Sequence, residues 1–510
     1  MKSELLKSNY FLYFLFCLAS LFFVFNPAKF PADDGFFYPQ IAYNIVHGKG
    51  SYFNDLYLTN GYHPLWMLVC VLAEFINPFT KQDVVFIIWI CQVAFVVLSF
   101  KKLDLFFADN IVGKTMGFFC ISILFFSLGT LYLIEAHLNI FCICLLIWFL
   151  AKQKTNDWLF GLLFSLVFLS RLDNVFLLAF LALYYLIQRK WDYRVVLKSA
   201  VVILCICGAY LLSNLYWFGS VVPISGRIKS SFPNLQPSIS LSVISQFFLG
   251  INMIWIVFLI VIKNIQFRSL KLFFAFGSLF QILYNIGFQS QIGQWYYVAQ
   301  TIVLILLIGD LVFLLIKHRN PDYFLYPALA LGILLSCGIG YFKMSSNFSL
   351  QFTLMDENSK ISGRSQDEVK VFAEHIKNTL PPNARIFSYD FPGKFAFYSD
   401  MNVIPADGLV ANKSFFDDIA LLPFDKFLEK NNIRYINLPS AFIRNDDYSF
   451  IGIFVKVRNE KPTYFIKNAM TKKIEDTLNL ENETILKSYS NPIKTWQKDY
   501  DSVSIYQHIY

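Results

Sequence analysis

Eleven apolar runs divide the first two thirds of the chain, at about 9–28, 84–100, 116–134, 138–151, 157–170, 174–188, 197–217, 241–262, 270–289, 296–316 and 323–342. As helices rising 1.5 Å per residue, the longer runs reach across ~30 Å of hydrocarbon, and those near 15 residues count as short spans. A further stretch, 65–77, is bracketed by Pro64 and Pro78 and contains Glu74. It is too short to cross, so it is expected to re-enter or to lie at the interface. The pattern therefore predicts a mainly α, polytopic membrane bundle of about 11 spans over 1–342.

Near Tyr341 the pattern changes, and 343–510 reads as a polar domain. A helix is expected over 365–380, strands over 384–390, 401–408 and 433–440, a short helix over 394–400 and another near 414–430. Alternating helix and strand predicts an α/β layer domain. Beyond about 455 the pattern assigns no element.

Charge placement orients the spans. If the N-terminus is cytoplasmic and 65–77 does not cross, sixteen Lys and Arg fall in inner loops and six in outer ones. That obeys the positive-inside rule, and a crossing at 65–77 would invert it. An odd span count puts 343–510 outside the cytoplasm, on a multi-pass protein of the cytoplasmic (inner) membrane. Lys2 and Lys7 before the first run also fit a signal peptide. An uncleaved anchor is expected, because cleavage would leave an important acidic pair at a frayed end.

Composition agrees: 510 residues are 56% hydrophobic and 15% charged, too apolar for a soluble protein. The net charge of +8 forms no basic stripe with interleaved aromatics, so no nucleic-acid partner is expected. All nine cysteines sit in apolar runs, where they read as small buried hydrophobes rather than metal ligands.

The chemistry gathers on the outer side. Asp33 and Asp34 follow the first run closely, and acidic groups so near hydrocarbon point to function. A helix cap is the plainer reading of one of them. FFYPQIAYNIVHG then reads as an interfacial amphipathic helix, and Gly48, Gly50, Asn60-Gly61 and Pro64 as turns back to the membrane. The same topology brings Tyr62, His63, Glu135, His137, Arg171, Asp173, Arg227, Lys229, Trp295 and Tyr296 to that face. A carboxylate there can act as general base toward a hydroxyl, while cations hold a departing lipid phosphate. Glu135 with His137, and Arg171 with Asp173, equally suit structural pairs, Arg227 and Lys229 suit interfacial snorkelling, and the Trp-Tyr-Tyr run suits an aromatic belt.

The order of these pieces resembles the GT-C superfamily of polytopic glycosyltransferases. That superfamily includes protein O-mannosyltransferases, lipid A aminoarabinose transferases and cell-wall arabinofuranosyltransferases. The likeness rests on the acidic pair, the amphipathic helix, the Gly-x-Gly turn and TNGYHPLW. It continues through Glu135, LSRLDN, FGSVVPISGRIK, the WYY run and GKFAFYSDMNVIPADGLVANK, and covers most of 10–420. It implies a polyprenyl-phosphate sugar donor, inversion, and an outward site beneath the polar domain. Asp33 takes the place of the base, with Asp34 beside it. His63, Arg171, Arg227 and Lys229 are expected at the donor phosphate, and Tyr62, Glu135, His137, Trp295 and Tyr296 at the substrates. The acceptor is a glycan, lipid or protein, and membrane lipid surrounds the site. Some members of the superfamily use a divalent metal, although no extra carboxylate cluster here demands one. The competing class is a carrier or flippase that moves a lipid-linked sugar without breaking its glycosidic bond. It predicts inverted repeats and helices broken at the midplane, which the sequence does not display.

Overall fold

Ten of the eleven apolar runs are helices in the computed structural model. It describes mainly residues 27–439, with breaks at 108–110, 128–130, 154, 236–241, 290–291, 317–321, 346–349, 357–358, 366–367, 379, 389–391, 423 and 434, and parts of 13–25 and 448–507. The first run, with the question of its cleavage, lies largely outside the described residues. The ten helices are Val84–Leu103, Ile111–Ser127, Ala136–Ala151, Asp157–Ser170, Val175–Gln188, Tyr193–Phe218, Val243–Val261, Arg268–Phe288, Val298–Ile316 and Asp322–Ser345. Among the described residues, five helical stretches are long and apolar enough to cross a membrane alone: Lys81–Phe107, Tyr193–Phe218, Val243–Val261, Arg268–Phe288 and Gln294–Leu315. The chain is a multi-pass membrane protein.

One boundary differs from expectation. The run at 116–134 forms its helix earlier, over Ile111–Ser127, and the chain at 131–134 is apolar, buried and not an α-helix, with Leu133 at φ +63°. Backbone groups out of helix at that depth need partners. Gln92, fully buried inside Val84–Leu103, supplies them. Its amide donates to the Ile134 carbonyl at 3.0 Å and accepts from the Leu133 N–H at 3.2 Å. The Trp66 indole donates to the Leu133 carbonyl at 2.9 Å. Hydrophobic periodicity cannot register such a segment, because its side chains are as apolar as a span's.

The stretch at 65–77 is a twelve-residue helix, Pro64–Phe75, opened by Pro64 where a missing N–H costs nothing. At about 18 Å it is too short to cross. The amphipathic stretch is the helix Phe37–Val46, and it buries more than one face: Phe37, Tyr38, Pro39, Gln40, Ile41, Ala42 and Asn44 are all covered. It packs between Pro64–Phe75 and a helix of the polar domain, Pro392–Ser399.

That polar domain is built on a mixed seven-stranded sheet of order β2-β1-β8-β9-β5-β3-β4. Its strands are β1 Leu350–Asp356, β2 Ser359–Ser365, β3 Arg385–Ser388, β4 Asn402–Pro405, β5 Tyr435–Pro439, β8 Lys494–Lys498 and β9 Asp501–Gln507, while β6 Tyr448–Ile451 and β7 Val455–Arg458 pair with each other apart from it. β3 pairs parallel with β4 and β5, as helix-linked strands can. The terminal hairpin β8–β9 inserts antiparallel between β1 and β5, a placement the sequence pattern did not indicate. Among the described residues, Glu368–Lys377, Lys413–Leu421 and Phe424–Lys430 are further helices of this domain.

The loop 33–66 is the seam between bundle and sheet. Arg385 forks onto Asp55 with N–O distances of 2.7–3.1 Å, Asn54 donates to the Val403 carbonyl at 3.2 Å, and Lys81 meets Asp400 at 2.7 Å. At Gly61 the approach is closest: a Cβ there would lie 1.9 Å from the Leu409 carbonyl oxygen. Both atoms belong to or follow backbone, so neither can rotate away. Gly61→Ala is therefore expected to lift the domain off the loop at a cost of about 1–3 kcal/mol or more. Limited proteolysis checks this, the polar domain being cut faster while the membrane bundle stays resistant.

Candidate active site

The turn Asp33–Phe36 is a single 3-10 turn, which aims its two carboxylates in different directions. Asp33 faces the polar domain and accepts the backbone N–H groups of Gly393 at 2.9 Å and Lys394 at 2.7 Å. It thus caps Pro392–Ser399 from across the seam. Burial pushes its carboxyl up to about 7 from the ordinary carboxylate range, against the pull of those two N–H groups, with Asp34 adding repulsion. Asp34 faces the other way, toward Lys229 at 3.3 Å, and keeps about a third of its side chain exposed.

Lys229 ends the short helix Ile224–Lys229, which also carries Arg227. The loop fixes that helix through Asn60, whose side chain accepts the Ile224 N–H at 3.1 Å and donates to Asn214 at 3.3 Å. Burial works against the charge on Lys229, but Asp34, Tyr296 and Asp407 together more than offset it and hold the ammonium well above its ordinary range. Lys229 is a buried cation; Arg227 beside it is exposed.

A second cluster lies at the membrane edge. Glu135 precedes Ala136–Ala151, and Arg171 leaves Asp157–Ser170 in extended conformation. Arg171 donates to Glu135 and, in a fork, to both oxygens of Asp173 at 2.9 and 3.1 Å. Tyr38 donates to the other Glu135 oxygen at 3.1 Å, and the Arg171 guanidinium lies 4.2 Å from the Tyr296 ring centre. Burial raises Glu135 although Arg171 opposes it. Burial also works against Arg171, but Asp173 and Glu135 prevail and raise it.

His63 stands over this cluster with Nε2 3.5 Å from Glu135. Burial, then the positive charge of Arg171, depress it to about 3, so the ring is neutral near pH 7. A neutral imidazole brings hydrogen bonding and no charge to the place where a donor phosphate is expected. Among the described residues its Nδ1 has no hydrogen-bond partner.

Between the two clusters is a cavity of about 730 Å³, within the range of small-ligand sites. Asp34, Tyr62, His63, Glu135, Arg171, Arg227, Lys229, Trp295 and Tyr296 all line it. Its flank is apolar, with Phe168, Val175, Phe176, Leu211 and Phe232. Two expected residues lie elsewhere. Asp33 is turned to the polar domain, as above. His137 is buried in the bundle, where Nδ1 meets the Gln92 amide at 3.0 Å and the ring stacks on Tyr132. Among the described residues, no group of three or more His, Cys, Asp or Glu is placed to hold a metal ion.

Sequence reading passed over three contributors. Tyr38 is one aromatic among many, and Asn60 looks like any Asn-Gly turn. Asp407, in PADG of the polar domain, also reads as a turn. Its Oδ1 does accept the Leu409 N–H at 2.9 Å, and Leu409 itself lines the cavity.

The fold has a counterpart among solved structures. ArnT from Cupriavidus metallidurans, bound to undecaprenyl phosphate, superposes with a TM-score of 0.54 over 90% of this chain and all of that one, at 13% identity. The chain has the GT-C fold. The oligosaccharyltransferase of Archaeoglobus fulgidus, in its apo form, aligns at a TM-score of 0.42 and 12% identity over 95% of this chain and 79% of that one. No family model and no curated protein matches the sequence.

The buried cluster of this GT-C fold sets a test. Glu135→Ala leaves Arg171 with Asp173 alone and Tyr38 without its acceptor. Breaking a buried pair from one side typically costs about 3–5 kcal/mol. The expected outcome is a marked fall in the thermal unfolding temperature, while His63→Gln, which removes no charge near pH 7, leaves it close to wild type.

Proposed function

We propose that the protein transfers a sugar from a polyprenyl-phosphate donor to an acceptor hydroxyl, with inversion, on the outer face of the cytoplasmic membrane. One observation carries this reading: a partly exposed carboxylate, Asp34, shares a cavity with Lys229, Arg227 and Arg171 and with an apolar flank. The GT-C fold, and a neighbour of that fold solved with undecaprenyl phosphate, support the lipid donor.

In this reading residues 1–342 form the catalytic module and 343–510 an extracytoplasmic domain above it. The polyprenyl chain lies along Phe168, Phe176, Leu211 and Phe232, and the phosphate meets Lys229, Arg227 and Arg171. Tyr62, Trp295 and Tyr296 bracket the sugar. The acceptor oxygen attacks the anomeric carbon as the bond from that carbon to the phosphate oxygen breaks. The acceptor's proton passes to Asp34, and the bonding electron pair leaves with the phosphate, whose charge the cations stabilise. The base is Asp34 rather than Asp33, because both Asp33 oxygens are engaged by backbone N–H groups. No step is assigned to a metal ion.

Membranes containing the protein are to be supplied with a panel of radiolabelled polyprenyl-phosphate sugars, scoring which label moves and to what. Asp34→Asn keeps the shape and removes the proton acceptor, and is expected to lower transfer by about 10²–10⁴-fold. Changing Lys229 and Arg227 together to Ala is expected to weaken donor binding by roughly tenfold or more, in line with charge-assisted contacts worth about 1.5–3 kcal/mol each. Label that crosses the bilayer still attached to its lipid would support a carrier instead.

A further inference from the structure

We propose that Asn139, buried in the bundle and outside the cavity lining, is a positioning residue for the donor phosphate that acts through Arg171. The inference rests on the lipid-phosphate reading above and adds the part of the bundle that holds one of its cations in place.

Arg171 sits where the chain leaves one helix and enters the next. Asp157–Ser170 ends just before it, its own backbone is extended at φ −159° and ψ 125°, and the 3-10 turn Leu172–Asn174 follows. The residues that bracket this kink, Ser170 and Asn174, reach the same atom. Ser170 shares its single O–H between Asn139 Oδ1 at 3.0 Å and the Val167 carbonyl at 2.8 Å. The Asn174 amide donates to Asn139 Oδ1 at 2.7 Å and to the Val167 carbonyl at 3.0 Å. Its own Oδ1 accepts from the Gln281 amide at 3.0 Å.

Asn139 lies on Ala136–Ala151 one turn along from Glu135, its N–H donating to the Glu135 carbonyl at 2.9 Å. Residues four apart share a helix face. That face grips Arg171 at two levels: Glu135 takes the guanidinium, and Asn139 takes the segment from which the side chain grows. A third support comes from Arg268–Phe288. One turn before Gln281, a Cβ on Gly277 would stand 2.9 Å from the Cα of Leu177, which lies one turn after Asn174. The two helices thus approach closely enough for Gln281 to reach Asn174.

Packing alone does not call for these side chains. Asn139, Ser170, Asn174 and Gln281 are each no more than 1% exposed, and burying a polar group costs free energy unless it is hydrogen-bonded. Apolar residues of similar size would fill the space without that cost. What the hydrogen bonds add is direction, because apolar burial is non-directional. Direction matters at Arg171, which lines the cavity but is locked to Glu135 and Asp173. It cannot adjust after a phosphate arrives, so the placement of the kink sets how it meets the anion.

The probe is undecaprenyl phosphate. Its affinity for the full-length protein in detergent is measured beside the thermal unfolding temperature. Asn139→Leu keeps the volume and removes the acceptor. It is expected to weaken binding about three- to tenfold, within the range of coupling inside one hydrogen-bonded network. Asn139→Asp keeps an accepting oxygen in place and is expected to restore most of the affinity. The decisive comparison is a cycle with Arg171→Lys, which keeps the charge and loses the fork. A residue acting through Arg171 has little left to disturb there, so Asn139→Leu is expected to cost less than about twofold in that background. Equal affinity of Asn139→Leu and wild type would overturn the proposal. So would a loss of the same size in both backgrounds, which is what a scaffold role predicts. An Asp variant as weak as the Leu variant, at an unchanged unfolding temperature, would overturn it as well, and this comparison decides alone if Arg171→Lys does not fold. If Asn139→Leu does not fold, Ser170→Ala takes its place: it deletes one of the two bonds without leaving a buried donor, and an unchanged affinity decides against the proposal. Absence of binding by wild type would instead remove the lipid-phosphate reading, and this inference with it.

Discussion

A guanidinium and a carboxylate that water scarcely reaches, Arg171 and Glu135, meet where the bundle opens outward, with side-chain exposures of 2% each. Removing two such charges from water is costly, and their attraction repays it only when the remaining hydrogen-bonding capacity is filled. Here it is. Glu135 takes Arg171 on one oxygen and Tyr38 on the other, and three of the five N–H groups of Arg171 reach Glu135 and Asp173. These partners come from the interfacial helix and from the ends of three bundle helices. The pair therefore welds the first outer loop to the bundle, and it fixes the floor of the cavity against which everything above must fit.

The loop 33–66 transmits that rigidity to the polar domain. Asp33 and Asp34 are adjacent, yet one 3-10 turn sends Asp33 to the N–H groups of Pro392–Ser399 and Asp34 to Lys229. The acidic pair thus performs two separable tasks. One carboxylate gives up its hydrogen-bonding capacity to dock a domain. Its neighbour, across the same turn, stays accessible to the cavity. Gly61 tightens the same seam, since only a residue without a Cβ lets the Leu409 carbonyl approach so closely.

Much of this was legible in the sequence because membrane spans and alternating helices and strands write strong periodic signals. The polar groups on the outer face were found by parity: once the spans are counted, His63, Glu135, Arg171 and Lys229 must share a side. Direction within a face is another matter. Nothing in the string LIEAHLN tells that Glu135 looks into the cavity while His137, two residues on, turns to Gln92. The segment 131–134 was hidden for the opposite reason, its apolar residues copying a helix that its backbone does not form. The ionisation of His63 was also out of reach, because it depends on burial and on Arg171 and Lys229, which are far away in sequence. Strands β8 and β9 complete the sheet from the chain's end, a long-range pairing that local patterns do not encode.

The cations of the cavity are unequal, and the inequality orders the events a ligand can cause. Arg171 is locked by a fork to Asp173 and by Glu135, so it can add a contact but cannot move to make one. Arg227 is exposed, where a charge is well solvated and screened. Lys229 lies between these extremes: it is buried, yet its ion pair to Asp34 is long at 3.3 Å. A buried ammonium with an imperfect partner gains most from a new anion, because the field around it is weakly screened. An anion that draws Lys229 toward itself also leaves an Asp34 oxygen without its partner, next to the place where an acceptor hydroxyl would arrive. In the proposed reaction, binding of the phosphate and release of the carboxylate would then be one displacement of one side chain.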